Sequence, residues 1–208
     1  FFLHTNPGAD QVIFLDFDGH HSKNNGWGHN IEFPPFNFDG SPDTFSQAEL
    51  ASILAHWDYI AEDFSSFDVD VTTEEPGQDW LRFSTVGDQE WGVRCLFTQY
   101  TDGFGNGTGG IALLGSFKDF ADTPVFAFNK GDNNGSMTGS HEVGHSLNLQ
   151  HDGLFGSTYH PGDLPGRHVR ELRGSHRAER RRRHVRVLDL GRPRHDRGDS
   201  PHAGPEPR

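Results

Sequence analysis

The sequence is poor in cysteine and in long apolar runs, and each shortage excludes a class of protein. Its 208 residues contain one cysteine, Cys95, so neither an intrachain disulfide nor a zinc module built on several cysteines is possible. No apolar run approaches the 18 or more residues of a membrane-spanning helix, so we predict no membrane span. The chain begins with Phe1 instead of Met, and we therefore expect the natural start, with any export signal, to lie upstream.

Basic residues are scarce over residues 1–166 and abundant after them. The first part holds 24 acidic and 5 basic residues, a net charge of −19. Residues 167–208 hold 13 arginines, no lysine and 6 acidic residues, a net charge of +7, and all 25 aromatic residues lie before them. We therefore predict two units: a folded domain over 1–166, incomplete at both ends, and an arginine-rich tail over 167–208.

The tail has too little apolar surface to offset the loss of chain entropy on folding, because only eight of its 42 residues are Ala, Val or Leu. One interpretation is a disordered basic arm that binds nucleic acid or another polyanion. The other is an out-of-frame reading of GC-rich coding DNA, which yields Arg, Gly, Pro, His and Ala. The composition favours the second interpretation, so we expect no nucleic-acid partner.

Apolar periodicity in the first 166 residues predicts alternating strands and helices. Residues 12–15 are apolar on both faces, which is typical of a central strand in a largely parallel sheet. Ser46 and Glu49 have the spacing of a capping box and open an amphipathic helix over 46–64. Residues 19–43 are predicted to be loop, and the remaining elements are strands near 69–73, 91–98, 110–114 and 124–128 and a helix over 136–149. This order predicts an α/β (α+β) fold, a mixed sheet with helices packed on it.

The second predicted helix carries a His-Glu-x-x-His sequence. His141 and His145 are four residues apart, so they project from one helix face and can ligate a single cation. Glu142 lies beside that cation, where a carboxylate can take a proton from water. His151 can reach the same ion only if the chain turns sharply, and Asn148 suits such a turn because asparagine tolerates positive φ. Three histidines leave a fourth tetrahedral position open, as in catalytic zinc sites.

Residues 141–152 resemble the long zinc motif of the metzincin metallopeptidases, and His151-Asp152 is similar to the reprolysin ending of that motif. Residues 14–20, 67–76 and 109–112 also resemble segments of secreted bacterial metzincin-like peptidases. The resemblance implies a zincin-like catalytic domain, a secreted zinc endopeptidase in which a helix carrying the zinc motif runs over a twisted sheet. It also implies zinc held by His141, His145 and His151, Glu142 as general base, and a polypeptide substrate bound along the strand near 110–114.

Two positions depart from the metzincin pattern. Asn148 stands where the family has glycine. The family also has a methionine turn beneath the zinc, downstream of the third histidine, whereas the single methionine of this chain, Met137, precedes the motif. An inactive metal-binding protein is therefore an alternative to the peptidase.

A second alternative comes from the end of the first predicted strand. Phe14-Leu15-Asp16-Phe17-Asp18-Gly19 also resembles the start of haloacid-dehalogenase-like phosphatases, in which the first aspartate attacks phosphorus beside Mg²⁺ and the second is the acid/base. Asp16 and Asp18 would have these roles. The simpler interpretation is a strand end followed by an Asp-Gly turn without a catalytic role.

Two oxygen-rich segments, 102–110 and 132–135, are candidate Ca²⁺ loops, although solvated turns are the simpler interpretation because neither has EF-hand spacing. Tyr159 and His160 follow the zinc motif closely enough to be weak candidates for approaching the metal. The sequence gives no indication of oligomeric state.

Overall fold

The computed structural model describes residues 2–99, 104, 107–129 and 131–152. The boundary predicted near residue 166, the tail, and Tyr159 and His160 lie outside these residues. The helices are α1 (Gln47–Asp63) and α2 (Asp132–Ser146), and the strands are β1 (Gln11–Asp16), β2 (His20–Asn25), β3 (Gly28–Phe33), β4 (Asp70–Thr72), β5 (Trp91–Phe97), β6 (Gly110–Ile111) and β7 (Val125–Ala127). Short 3₁₀ turns cover Gln78–Leu81 and Ser116–Lys118.

The main sheet is mixed, with strand order β4-β1-β5-β7-β6. β1 is parallel to both of its neighbours, β4 and β5, and β7 is parallel to β5. Only β6 is antiparallel, and it forms one edge of the sheet through the pairs Gly110 with Ala127 and Ile111 with Phe126. The mixed α+β architecture and the central parallel strand are therefore as the sequence predicts.

Alternate residues of the strands cover the two faces of the sheet. Ile13 and Leu15 of β1 pack in one apolar cluster with Ile60 of α1 and Val143 of α2, so both helices lie on this face. Phe126 of β7 lies in a second cluster on the opposite face, together with residues of the β2–β3 region. No described helix combines the length and the apolar character needed to cross a membrane.

The prediction of a continuous loop over 19–43 is wrong, because β2 and β3 form an antiparallel hairpin there. β2 is polar throughout, and in β3 only Ile31 and Phe33 alternate, which is too short a run to predict a strand. The hairpin is stabilised by tertiary contacts instead. The indole of Trp27 donates from Nε1 to the Pro124 carbonyl at 2.7 Å and packs edge-on against Phe126, with ring centroids 5.3 Å apart.

The capping box of α1 is confirmed: Ser46 accepts from the Glu49 backbone, and Glu49 accepts from the Ser46 backbone. The bounds predicted for α2 are shifted, since it begins at Asp132 and ends at Ser146. The residues proposed as a calcium loop, 132–135, are thus its first turn. The strand predicted over 110–114 is shorter, and only Gly110–Ile111 pairs.

Candidate metal centre

The three histidines of the motif lie close together on the solvent-exposed side of α2. Nε2 of His151 lies 3.0 Å from Nε2 of His141 and 3.1 Å from Nε2 of His145. These three are the only group of His, Cys, Asp and Glu residues placed to hold a metal ion within the described part of the chain.

A sharp turn after α2 returns His151 to the helix. Asn148 has φ 69°, the left-handed conformation expected of it. Its backbone N–H donates to the His145 carbonyl at 2.8 Å, and that of Leu149 donates to the Gly144 carbonyl at 3.0 Å. These bonds satisfy carbonyls at the end of α2 and direct the chain backward.

The spacing of the His151 nitrogen from the other two fits a tetrahedral ion. With metal–nitrogen bonds of about 2.0–2.1 Å, as for Zn²⁺, two nitrogens in a tetrahedral site lie about 3.3 Å apart. The observed 3.0 and 3.1 Å are within a few tenths of an ångström of this value. The donor set is therefore suited to a metal such as zinc.

A hydrogen bond orients His145. Its Nδ1 lies 2.7 Å from the Leu149 carbonyl oxygen, and a carbonyl can only accept, so we assign the proton to Nδ1. This tautomer leaves the lone pair of Nε2 for a metal. Burial, together with the neighbouring His145 and His151, lowers the pKa of His141 and favours its neutral, ligating form.

Glu142 is buried beside the histidines, with 6% of its surface exposed. This burial raises its pKa to about 7, although the nearby His145 acts in the opposite direction. The edge strand packs directly on it. A Cβ placed on Gly110 would overlap Thr138 and lie 2.8 Å from Cγ of Glu142, so only glycine permits this approach.

A cleft of about 500 Å³ lies between β6 and α2 and contains the histidines and Glu142. In the β6–β7 register, the Phe128 N–H donates to the Gly109 carbonyl at 2.8 Å. Antiparallel pairs alternate between hydrogen-bonded and non-bonded, so the N–H and C=O of Gly110 point away from β7, toward the open edge. The sequence predicts this strand but not the contact between Gly110 and Glu142. The glycine pair 109–110 could have indicated that contact, because glycine within a strand is typical of close backbone approach.

The aspartates of the phosphatase alternative are in a different place. Asp16 is fully buried at the end of β1, and its Oδ2 accepts a hydrogen bond from Arg94 of β5. Arg94 also forms ion pairs with Glu75 and Asp122, each at 2.9 Å. A nucleophile must reach its substrate, so this geometry does not support the phosphatase. Sequence reasoning missed this buried cluster, because no local spacing links its members.

Three other histidines and Cys95 are not part of the group placed to hold a metal ion. His20, His21 and His29 lie in the β2–β3 hairpin, and His21 contacts Glu32 and Asn30. Cys95 is fully buried in the core, and burial raises the pKa of its thiol. The candidate calcium segment 102–110 lies partly outside the described residues.

Comparison with known proteins gives no family assignment. No protein-family profile matches the chain, and neither does any curated protein sequence. Two solved structures of myroilysin are similar over 70% and 71% of the chain, with 18% and 17% identity and TM-scores of 0.30 and 0.29. The chain spans about half the length of each.

Proposed function

We propose that this protein is a zinc-dependent endopeptidase of the metzincin type, in which His141, His145 and His151 hold zinc and Glu142 is the general base. One observation carries the proposal: three imidazole nitrogens converge beside a buried carboxylate, with that of His151 at near-tetrahedral spacing from the other two, in a cleft bordered by an open sheet edge. Three histidines and an open fourth position are the arrangement of catalytic zinc sites.

The residues around the cleft have distinct tasks in this reaction. When bound, zinc supplies a Lewis acid that polarises the scissile carbonyl and lowers the pKa of water. The carboxylate of Glu142 accepts the proton of the attacking water at an Oε atom and delivers it to the leaving amine nitrogen. The hydrogen bond from His145 to Leu149 holds one ligand in the required tautomer.

The substrate is an extended polypeptide that pairs with β6. The outward N–H and C=O of Gly110 supply main-chain hydrogen bonds to such a segment, as in β-strand addition. Because Gly110 carries no side chain, β6 lies directly against Glu142, and a peptide paired with β6 would therefore be brought near that carboxylate. Main-chain recognition is compatible with many substrate sequences.

The decisive variant is Glu142→Gln, which keeps the size of the side chain and removes the base. Hydrolysis of a denatured protein substrate is expected to fall by about 10²-fold or more, while bound zinc stays near that of the wild type. Glu62→Gln, on the exposed side of α1, is the matched control and is expected to change neither quantity. Removal of metal by a chelator is expected to abolish hydrolysis, and added zinc to restore it.

Two results would contradict the proposal in different ways. Wild-type turnover by Glu142→Gln would exclude Glu142 as the base. Zinc binding without hydrolysis by the wild-type chain would instead assign an inactive metal-binding protein, the alternative indicated by the position of Met137 before the motif.

A further inference from the structure

Two side-chain hydrogen bonds join α1 to α2. The Ser52 hydroxyl donates to Oδ1 of Asp132 at 2.5 Å, and the Ser140 hydroxyl donates to Oδ2 of Asp63 at 2.6 Å. In each helix, the residue of the first pair precedes the residue of the second pair, so the two helices run in the same direction. α2 is thus held to α1 at two points along its length.

Two glycines of α2 bring the helix close to its neighbours between these points. A Cβ on Gly135 would overlap Nε2 of the buried His56, and one on Gly139 would lie 2.9 Å from Cζ of Phe97 and 3.1 Å from Cδ1 of Ile60. Gly139 therefore lets α2 pack directly against α1 and the sheet. This packing fixes how closely α2 approaches its neighbours, and side-chain bonds add restraint on its rotation about its own axis.

The second hydrogen bond lies next to the metal centre. Ser140 immediately precedes His141 in α2. A rotation of α2 by about 10° would move an atom at its outer radius of about 5–6 Å by roughly 1 Å. Metal sites tolerate ligand displacements of only about 0.2 Å. A restraint on rotation at residue 140 therefore acts on the ligand at 141.

We propose that Asp63 and Ser140 form a positioning pair for His141, in which a carboxylate at the end of α1 fixes the rotation of the metal-binding helix. The pair touches neither substrate nor metal and acts through the ligand. This inference rests on the proposed function, because it requires that zinc binds at the three histidines. The Ser52–Asp132 bond lies about two and a half helical turns from His141 and holds the start of α2 instead.

The test measures zinc affinity by competition with a chromogenic chelator, together with the free energy of unfolding without metal. Ser140→Ala is expected to weaken zinc binding roughly three- to tenfold, less than the 10–100-fold typical of partners bonded directly to a ligand. Ser140→Thr keeps the hydroxyl and is expected to bind zinc within twofold of the wild type. When Asp63→Ala is already present, the additional change Ser140→Ala is expected to cause no further loss of zinc affinity.

Ser52→Ala is the matched control, because it removes the same chemical group from the other tether between the same helices. It is expected to lower stability while leaving zinc affinity within twofold of the wild type. Absorption of Co²⁺ in place of zinc adds a readout of ligand geometry. Its visible bands are expected to change in Ser140→Ala and not in Ser52→Ala.

Three outcomes separate the hypotheses. Zinc affinity unchanged in Ser140→Ala would overturn the positioning pair and leave the proposed function intact. Equal losses in Ser140→Ala and Ser52→Ala would also overturn it, since a general loss of helix packing would then explain both. A wild-type chain that binds no zinc would overturn the proposed function and this inference together.

Discussion

The imidazole of His145 donates from Nδ1 to the carbonyl oxygen of Leu149, four residues further along, at 2.7 Å. One bond thereby links a candidate metal ligand on α2 to the turn that returns His151. The turn and the histidine arrangement are consequently a single unit, so a change to the turn is expected to alter the candidate metal site. The first two predictions concern this unit.

Loss of His151 is expected to weaken zinc binding strongly. His151→Ala leaves two imidazoles, and we expect affinity to fall by more than about 100-fold, beyond the usual effect of an outer-shell partner. Unfolding without metal is expected to be unchanged within about 0.5 kcal/mol, because His151 is exposed after the end of α2. Chelator competition and urea unfolding check these values. The control is His29→Ala, which changes an exposed histidine in β3. Unaltered zinc affinity in His151→Ala would exclude His151 as a ligand.

Asn148 is expected to be replaceable by glycine but not by alanine. Its φ of 69° costs an alanine roughly 1–2 kcal/mol, whereas glycine adopts it freely. Asn148→Ala is therefore expected to be less stable to urea by about 1 kcal/mol and to bind zinc more weakly, while Asn148→Gly retains both properties. Gln150→Ala, two residues further on, is the control. Equal behaviour of the alanine and glycine variants would show that the turn does not depend on positive φ.

Arg94 is expected to be much more costly to replace than Arg82. Its side chain is 3% exposed, and it is the partner of the fully buried Asp16, so Arg94→Met leaves an uncompensated buried carboxyl. We expect a loss of about 3–5 kcal/mol in the free energy of unfolding. Arg82→Met, which removes an exposed pair with Asp79, is expected to cost less than about 1 kcal/mol. Similar losses in both variants by urea unfolding would contradict this ranking.

His4 is expected to make stability depend on pH. Burial lowers its pKa, but hydrogen bonds and charge from Asp70 and Glu74 prevail, so the pKa is raised above its ordinary value near 6.5. The protonated form is favoured in the folded chain, and its stabilising contribution is complete below pH 6.5 and lost as the pH rises through the folded pKa. The stability difference between wild type and His4→Gln is expected to shrink between pH 5.5 and 8.5 in urea titrations. His29→Gln is the control, and a difference that grows with pH would reverse the assignment.

The parts of the molecule that were predictable from the sequence are those specified over short distances. The capping box of α1 involves two residues three apart, and the pairing of His141 with His145 follows from one helical turn. The turn at Asn148 was also predictable, because few residues adopt positive φ. Each of these features depends on neighbours that the sequence itself places together.

The parts that were missed depend on contacts distant in sequence. The β2–β3 hairpin is anchored by Trp27 on Pro124 and Phe126, almost 100 residues away, and its own strands offer only the short alternation of Ile31 and Phe33. Arg94 forms ion pairs with carboxylates from three other segments, and no residue spacing in the sequence predicts these pairs. Asp132 begins α2 amid turn-forming residues, and its side chain is bonded to Ser52 of α1. Tertiary contacts outweighed local propensity in these cases.

The edge strand β6 pairs with the sheet through only two residues. So short a ladder offers few hydrogen bonds to resist opening, and its local free energy of opening is expected to be low relative to the core strands. A peptide bound along its outer side would supply a second ladder and thereby stabilise the strand itself. Under the proposed function, substrate capture at this edge would be coupled to completion of the sheet, and part of the binding energy would be spent on ordering β6.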